Sequence, residues 1–377
     1  MRYDVIVLGL GAMGSAAAMH LAARGRKVLG TDQFRPPHDQ GSSHGGTRMI
    51  RQAYGEGADY IPLVLRAYQL WEKLEREAGT KLLFVTGGLI LGPADGMVQR
   101  AAAAADRHAI PYEVLSGSET NVRFPAIVPL AGDVALLETR AGYLLPEACV
   151  RAQLQRAATL GAELRFDAPV VSWTADAGGV QVRTAQSTYT AERLVVAAGP
   201  WAQQALGNVV PLRVTRQVMA WIRPRGRIDA FLPGRLPVFL SECEDGRPAY
   251  GFPAVDGAAG GVKAAVHGSE ETCTPETVDR GIRESDRAEI LRKVSLRMPA
   301  LAGEIVKAQI CLYTMTPDEH FVIGLHPEYP AVSIACGFSG HGFKFATVVG
   351  EILADLAIEG ETRHPIGMFS PLRFARS

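Results

Sequence analysis

Tyr3-Asp4-Val5-Ile6-Val7-Leu8, then Gly9-Leu10-Gly11-Ala12-Met13-Gly14, then Lys27-Val28-Leu29-Gly30-Thr31-Asp32 is the stretch that decides the fold. A short apolar run, a glycine turn, a small-residue helical stretch and a second apolar run ending in an acid read as a βαβ unit. Gly9 permits the tight turn, Gly11 lets backbone approach a pyrophosphate, and Gly14 lets the helix lie close on the sheet. The helix N-terminus offers free N–H groups and a partial positive charge to phosphates. Asp32 stands where a carboxylate accepts hydrogen bonds from ribose hydroxyls. A lone G-x-G-x-x-G is a weak signal, and a plain tight turn can produce it. The flanking strand, helix and acid together point to a dinucleotide site, without saying which dinucleotide.

The 377 residues leave room for two or three domains and a large core. Lys+Arg and Asp+Glu both number 39, so no basic excess points to nucleic acid or an acidic membrane surface. An anionic substrate must be held by local cations. The longest uncharged run, residues 194–212, contains Gly199, Pro200, Gln203, Gln204 and Asn208 and is not a membrane span. The first residues enter a strand pattern directly, so no signal peptide is expected. Five cysteines, odd in number and without metal spacing, argue against a disulfide framework or a metal site. A cytoplasmic protein is the expectation.

Beyond the first unit, residues 35–57 form a polar, glycine-rich stretch without clear periodicity, the mark of a functional loop. Helices are expected over about 60–78, 94–108, 146–160, 286–297 and 341–358, and a single strand over 82–92. Residues 163–166, 170–173, 180–183 and 188–189 read as short strands, and 194–198 as a buried strand ending at Gly199. Alternation over 211–270 indicates an antiparallel sheet, followed by strands at 310–315, 321–323 and 332–335. The expected fold is mixed α/β (α+β). A Rossmann-like nucleotide-binding domain, residues 1–80, 145–210 and 311–377, is interrupted by an antiparallel-sheet substrate domain, residues 81–144 and 211–310.

Several clusters carry possible chemistry, and each has an ordinary structural alternative. In Ser42-Ser43-His44-Gly45-Gly46-Thr47-Arg48-Met49-Ile50-Arg51 the two arginines, three apart, share a face if the segment is helical. Arginine forks bind carboxylates, but a solvated basic turn gives the same residues. Cys311 lies in a strand, where a cysteine is usually a small core residue; the alternative is a thiol that links a cofactor. Gly337-Phe338-Ser339-Gly340-His341-Gly342-Phe343-Lys344 precedes an apolar helix. Lys344 in a first turn opposes the helix dipole, which an anionic ligand would explain. Lys263 sits in an apolar alternating run, either facing solvent or buried for a purpose.

These residues together resemble the monomeric sarcosine oxidase and N-methyltryptophan oxidase family, within the D-amino-acid-oxidase-like flavoproteins. The resemblance spans the whole chain. It rests on the glycine turn with Asp32, His44-Gly-x-Thr-Arg48-x-x-Arg51, Tyr54-Gly-Glu-Gly57 and Tyr250-Gly-Phe-Pro253. Lys263 with His267, Cys311-x-Tyr-Thr314 and Gly337-Phe-Ser-Gly-His-Gly-Phe-Lys344 complete it.

The resemblance implies FAD in the N-terminal unit, with Ser42, Val170, Gly199, Gly340, Gly342 and Lys344 among its contacts. It implies a covalent link from Cys311 to the flavin. Arg51 and Lys344 would hold a substrate carboxylate. Lys263 would be the oxygen-activating cation, His44 and Arg48 would support the flavin, and Tyr250 and His267 would line the substrate pocket. The implied reaction takes a secondary amine such as sarcosine and oxygen to the amino acid, formaldehyde and hydrogen peroxide. A cyclic or bulkier secondary amino acid is the alternative substrate, because the acidic loop Ser241-Glu242-Cys243-Glu244-Asp245-Gly246 maps to no single one. A nicotinamide dehydrogenase or a non-oxidase FAD-binding protein are the rival functions. One chain holding both cofactor and substrate pieces permits a monomer.

Overall fold

The structure, a computed structural model, describes residues 2–374. Strand β1 (Arg2–Leu8), helix α1 (Ala12–Ala23) and strand β2 (Val28–Thr31) form the first unit, with β1 and β2 parallel from Val5↔Val28 to Leu8↔Thr31. On its other edge β1 pairs in parallel with Thr188–Val196. Val332–Cys336 adds in parallel beyond that strand, and Glu163–Arg165 beyond β2. The Val170–Asp176 and Gly179–Thr184 hairpin and the Val322–Leu325 strand complete an eight-stranded mixed sheet. Helix α1 is almost wholly buried because it is sandwiched between the sheet and the helices Pro146–Thr159 and Ala346–Glu359. Small residues suit that place, since a helix packed on several sides needs no polar stripe.

A second sheet of nine strands forms the other half. Its long strand Arg213–Arg223 pairs antiparallel with Glu304–Met315 on one side and with Val262–Val266 on the other. Ala249–Gly251, Val238–Ser241, Gly88–Pro93, Asp133–Glu138 and Glu113–Ser116 continue it. Its own core includes Phe231, Phe239, Ile222 and Met298, packed beside the helix Glu284–Ser295. A buried ion pair, Arg297 to Asp133 at 2.6 and 2.8 Å, ties that helix's end to the sheet. The fold is thus mixed α/β, with a Rossmann-like sheet joined to a largely antiparallel one.

Four local expectations change. Residues 82–92 are two strands, Leu83–Val85 and Gly88–Pro93, in different sheets. The chain turns at Thr86-Gly87, and an apolar run by itself does not reveal such a turn. The separate strands expected at 188–189 and 194–198 are one strand, Thr188–Val196, which changes partners part-way along. The strand expected at 310–315 begins at Glu304, so a boundary between residues 310 and 311 falls inside a continuous strand. The last helix starts at Ala346, not His341. Ser339 and Gly340 have positive φ, 45° and 82°, which keeps this stretch out of an α-helix.

Candidate active site

The cofactor side of the site is a cleft of about 860 Å³ along the C-terminal ends of the parallel strands. Gly9, Gly11, Asp32, Ser42, Arg48, Val170, Gly199, Gly340 and Gly342 all line it. Gly14 does not; it is needed for packing. A Cβ there would sit 1.7 Å from the Gly9 carbonyl oxygen, so α1 could not approach the turn. At the opposite end, a Cβ on Gly340 would fall 2.3 Å from the Tyr313 ring, which itself borders the cleft. Asp32 accepts from Leu10 N at 2.7 Å and Phe34 N at 2.9 Å. These bonds aim its carboxylate and leave it on the cleft wall. The Thr314 hydroxyl is buried without a protein partner at a residue that lines the cleft. A long glycine-walled cleft, a helix N-terminus, an acid at one end and unpaired polar atoms suit a dinucleotide.

The remaining expected residues form an enclosed layer beside the cleft. Arg48 is the link between the two. It borders the cleft, donates to Ser42 O at 2.8 Å, and brings Nη2 to 3.5 Å from Cys311 Sγ. Cys311 itself is buried behind the cleft wall, while its neighbours Leu312 and Tyr313 line it. His44 is 3% exposed, and neither ring nitrogen has a protein partner. Burial, with Arg48 close by, pushes its pKa down to about 4, so the ring is neutral. Lys263 is buried, and its Nζ donates to the Gly45 and Thr47 carbonyls at 2.7 Å each. Burial and the Arg48 charge hold its proton affinity well below that of an ordinary lysine.

The two arginines do not share a face. Arg48 belongs to the strand Arg48–Ile50, and three residues of extended chain put Arg51 on the opposite side. Arg51 donates to Ala53 O at 2.6 Å and to both oxygens of Glu56 at 2.5 and 2.6 Å. It is brought together with Lys344 instead. Both cations stand over the Tyr54 ring, 4.6 and 4.9 Å from its centre. Lys344 lies in a short 3₁₀ turn, Phe343–Phe345, before the last helix rather than in its first turn. It donates to His341 O at 2.7 Å, and Trp71 Nε1 holds its carbonyl at 2.9 Å. Burial, with Arg51 adding repulsion, lowers Lys344 to about 7. Burial opposes ionisation of Glu56, yet Arg51, His341 and Lys344 keep it at about 2. Tyr250, His267 and Tyr313 form an aromatic file, with Tyr313 Oη 3.3 Å from His267 Nδ1. Burial lowers the His267 pKa and raises that of Tyr250, so both are neutral near pH 7.

Sequence reading missed some of these partners. Glu56 and Tyr54 lay inside a quoted motif but carried no assigned task. Glu147, which accepts from Gly45 N at 2.6 Å and Gly46 N at 3.1 Å, left no local signal. Neither did Glu138, which accepts from the Gln52 and Ala53 amides at 2.8–3.0 Å and pins the backbone after Arg51. Among the described residues there is no cluster of metal-ligating side chains, and no helix is long and apolar enough to cross a membrane.

The family described as FAD dependent oxidoreductase matches residues 4–356. The chain belongs to this family. FAD is therefore the dinucleotide, and the nicotinamide alternative falls away. Monomeric sarcosine oxidase from Streptomyces avermitilis is 47% identical over 376 residues, covering 99% of this chain and 98% of that protein. N-methyl-L-tryptophan oxidase from Yersinia pestis is 35% identical, covering 99% and 100%. Among solved structures, the fold is similar to NikD, an amino acid oxidase of nikkomycin biosynthesis, with a TM-score of 0.87 at 24% identity over 98% and 97% of the two chains. It is also similar to glycine oxidase from Geobacillus kaustophilus, with a TM-score of 0.81 at 21% identity over 99% of each. The flavoprotein resemblance read from the motifs is thus a family membership.

Proposed function

We propose that this FAD-dependent oxidoreductase oxidises a small secondary amino acid, sarcosine or another N-methyl amino acid. The products are the demethylated amino acid, formaldehyde and hydrogen peroxide, with oxygen and water consumed. Sequence similarity to a monomeric sarcosine oxidase supports the substrate class. The observation that carries the reading is the pair of buried cations, Arg51 and Lys344, gathered around Tyr54 beside the cofactor cleft. An enclosed site with two cations and one ionised partner, Glu56, is suited to receive one more carboxylate.

FAD, held by the glycine turn, Asp32, Ser42, Val170, Gly199, Gly340 and Gly342, supplies a two-electron acceptor. The protein's own residues position and polarise. Arg51 and Lys344 hold the substrate carboxylate, which competes with Glu56 for the Arg51 fork. Neutral His267 and the Tyr250 phenol border the amine. Burial of the layer excludes water until the imine leaves for hydrolysis. Lys263 keeps a positive charge where oxygen gains electrons, an electrostatic role. Arg48 stands beside Cys311 and, with His44 next to it in turn, supports a covalent link from the Cys311 sulfur to the cofactor. In this reading residues 1–80, 145–210 and 311–377 form the cofactor domain, which also supplies Arg51 and Lys344, and residues 81–144 and 211–310 form the substrate domain. The protein works as a monomer in the cytoplasm, a compartment that suits its five free cysteines.

Peroxide release on a panel of N-methyl and cyclic amino acids tests the reading. Sarcosine is expected to give the highest kcat/KM, and a panel with no peroxide from any member would overturn it. For the link, acid precipitation should leave the yellow colour in the pellet, and Cys311→Ser should move it to the supernatant. The same partition for both proteins would remove the covalent bond.

A further inference from the structure

Trp221 is the centre of a row across three strands. Its ladder partner on one side is Lys263 and on the other Lys307. Directly opposed residues in an antiparallel ladder share a face, so the three side chains meet. The Lys263 ammonium stands 5.6 Å and the Lys307 ammonium 4.6 Å from the centre of the Trp221 ring. Trp221 and Lys263 are buried, whereas Lys307 reaches solvent. A second ring, Phe252, lies 4.9 Å from Lys263 Nζ. Two carbonyls and two aromatic faces therefore surround this amine. The charged or titratable groups around it are Arg48 and Lys307, of like sign, Glu147, of opposite sign, and His44 and Cys311.

We propose that Trp221 is a positioning residue for the Lys263 amine, and that Lys307, across the ring, sets how firmly that amine holds its proton. An aromatic face attracts an ammonium and not a neutral amine, and the attraction grows on desolvation. Trp221 thus favours the charged form and fixes where the charge sits. Lys307 opposes it by like-charge repulsion, weakened because its own end is in solvent. The row sets two opposed influences on the Lys263 charge and shields the amine from water.

This inference rests on Lys263 being the cation of the oxygen reaction, and the experiment separates the two ideas. The holoenzyme and its Trp221→Leu, Trp221→Phe, Lys307→Met and Lys263→Met variants are compared by two readouts across pH. One is the second-order rate of the substrate-reduced enzyme with oxygen. The other is the visible absorption of the resting enzyme, which reports a charge beside the cofactor without turnover. Trp221→Leu should move both midpoints down by about half to one pH unit, and Trp221→Phe should restore most of the shift. Lys307→Met, at the surface, should move them up, and it remains informative if Trp221→Leu does not fold. Lys263→Met should abolish the titration. If Lys263→Met keeps the rate and the titration, the role of Lys263 fails and the inference with it. If Lys263→Met loses both but Trp221→Leu and Lys307→Met leave the midpoints unchanged, the row is overturned and Lys263 stands.

Discussion

The cleft and the enclosed layer beside it do adjoining jobs by opposite means. The cleft is walled largely by glycine turns and backbone, with the Asp32 carboxylate held on its wall by two main-chain amides. The layer is made of long cationic side chains, Lys263, Arg51 and Lys344, buried among carbonyls and aromatic rings. A dinucleotide brings its own charge and many hydrogen-bonding atoms, so the protein needs shape and free N–H groups. A small amino acid and oxygen bring little surface, so the protein must supply field. Such a field is strong only where water is excluded.

Four experiments press on this contrast. The largest effect should come from the layer. Lys263→Met should slow the oxygen reaction on the order of 10²–10³-fold, with FAD content unchanged, measured by stopped flow and the absorbance ratio of flavin to protein. Equal loss of bound FAD would mean that cleft and layer are not separate. Gly14→Ala should do the reverse. With a Cβ 1.7 Å from the Gly9 oxygen, α1 must shift, at about 3 kcal/mol by urea unfolding and with reduced FAD retention. Undiminished stability would show that the helix does not need its close approach.

Arg51→Gln should raise KM roughly 10–100-fold, the worth of charged hydrogen bonds to one carboxylate, while the flavin spectrum stays in place. An unchanged KM would take the substrate carboxylate elsewhere. The smallest effect is a pH dependence. Lys344 lies at about 7 without ligand, so it is charged below that pH and loses its charge above it. Inhibition by a carboxylate lacking an amine should therefore weaken roughly tenfold from pH 6 to pH 8. Lys344→Met should flatten the profile. Glu56 at about 2, His341 at about 3 and His44 at about 4 do not titrate in that window. A profile that keeps its slope in the variant would assign the titration to another group.

How legible each region was follows from the same contrast. The β1–α1–β2 unit was readable because strand, turn, helix and acid are consecutive, and each glycine answers a local geometric need. The cleft's far wall was readable from the glycines before the last helix. The start of that helix was not, because Ser339 and Gly340 take left-handed backbone that composition alone does not reveal. The face that Arg48 and Arg51 would share on a helix is absent for a related reason. A spacing of three joins residues on a helix and separates them on a strand, and the ladder with Gly142–Leu144 makes it a strand.

By itself the sequence determined that a dinucleotide binds at the N-terminal unit, and its motifs named the flavoprotein family and the cations. It could do so because those signals are local or stereochemical. Only the tertiary structure decided what those cations stand against. It set Arg51 against Glu56 and beside Lys344, Arg48 against Cys311, and Lys263 against Trp221 and two carbonyls. Whether a lysine is an ordinary surface charge or a half-deprotonated amine near pH 7 depends on how much water reaches it. That depends on residues hundreds of positions away closing over it.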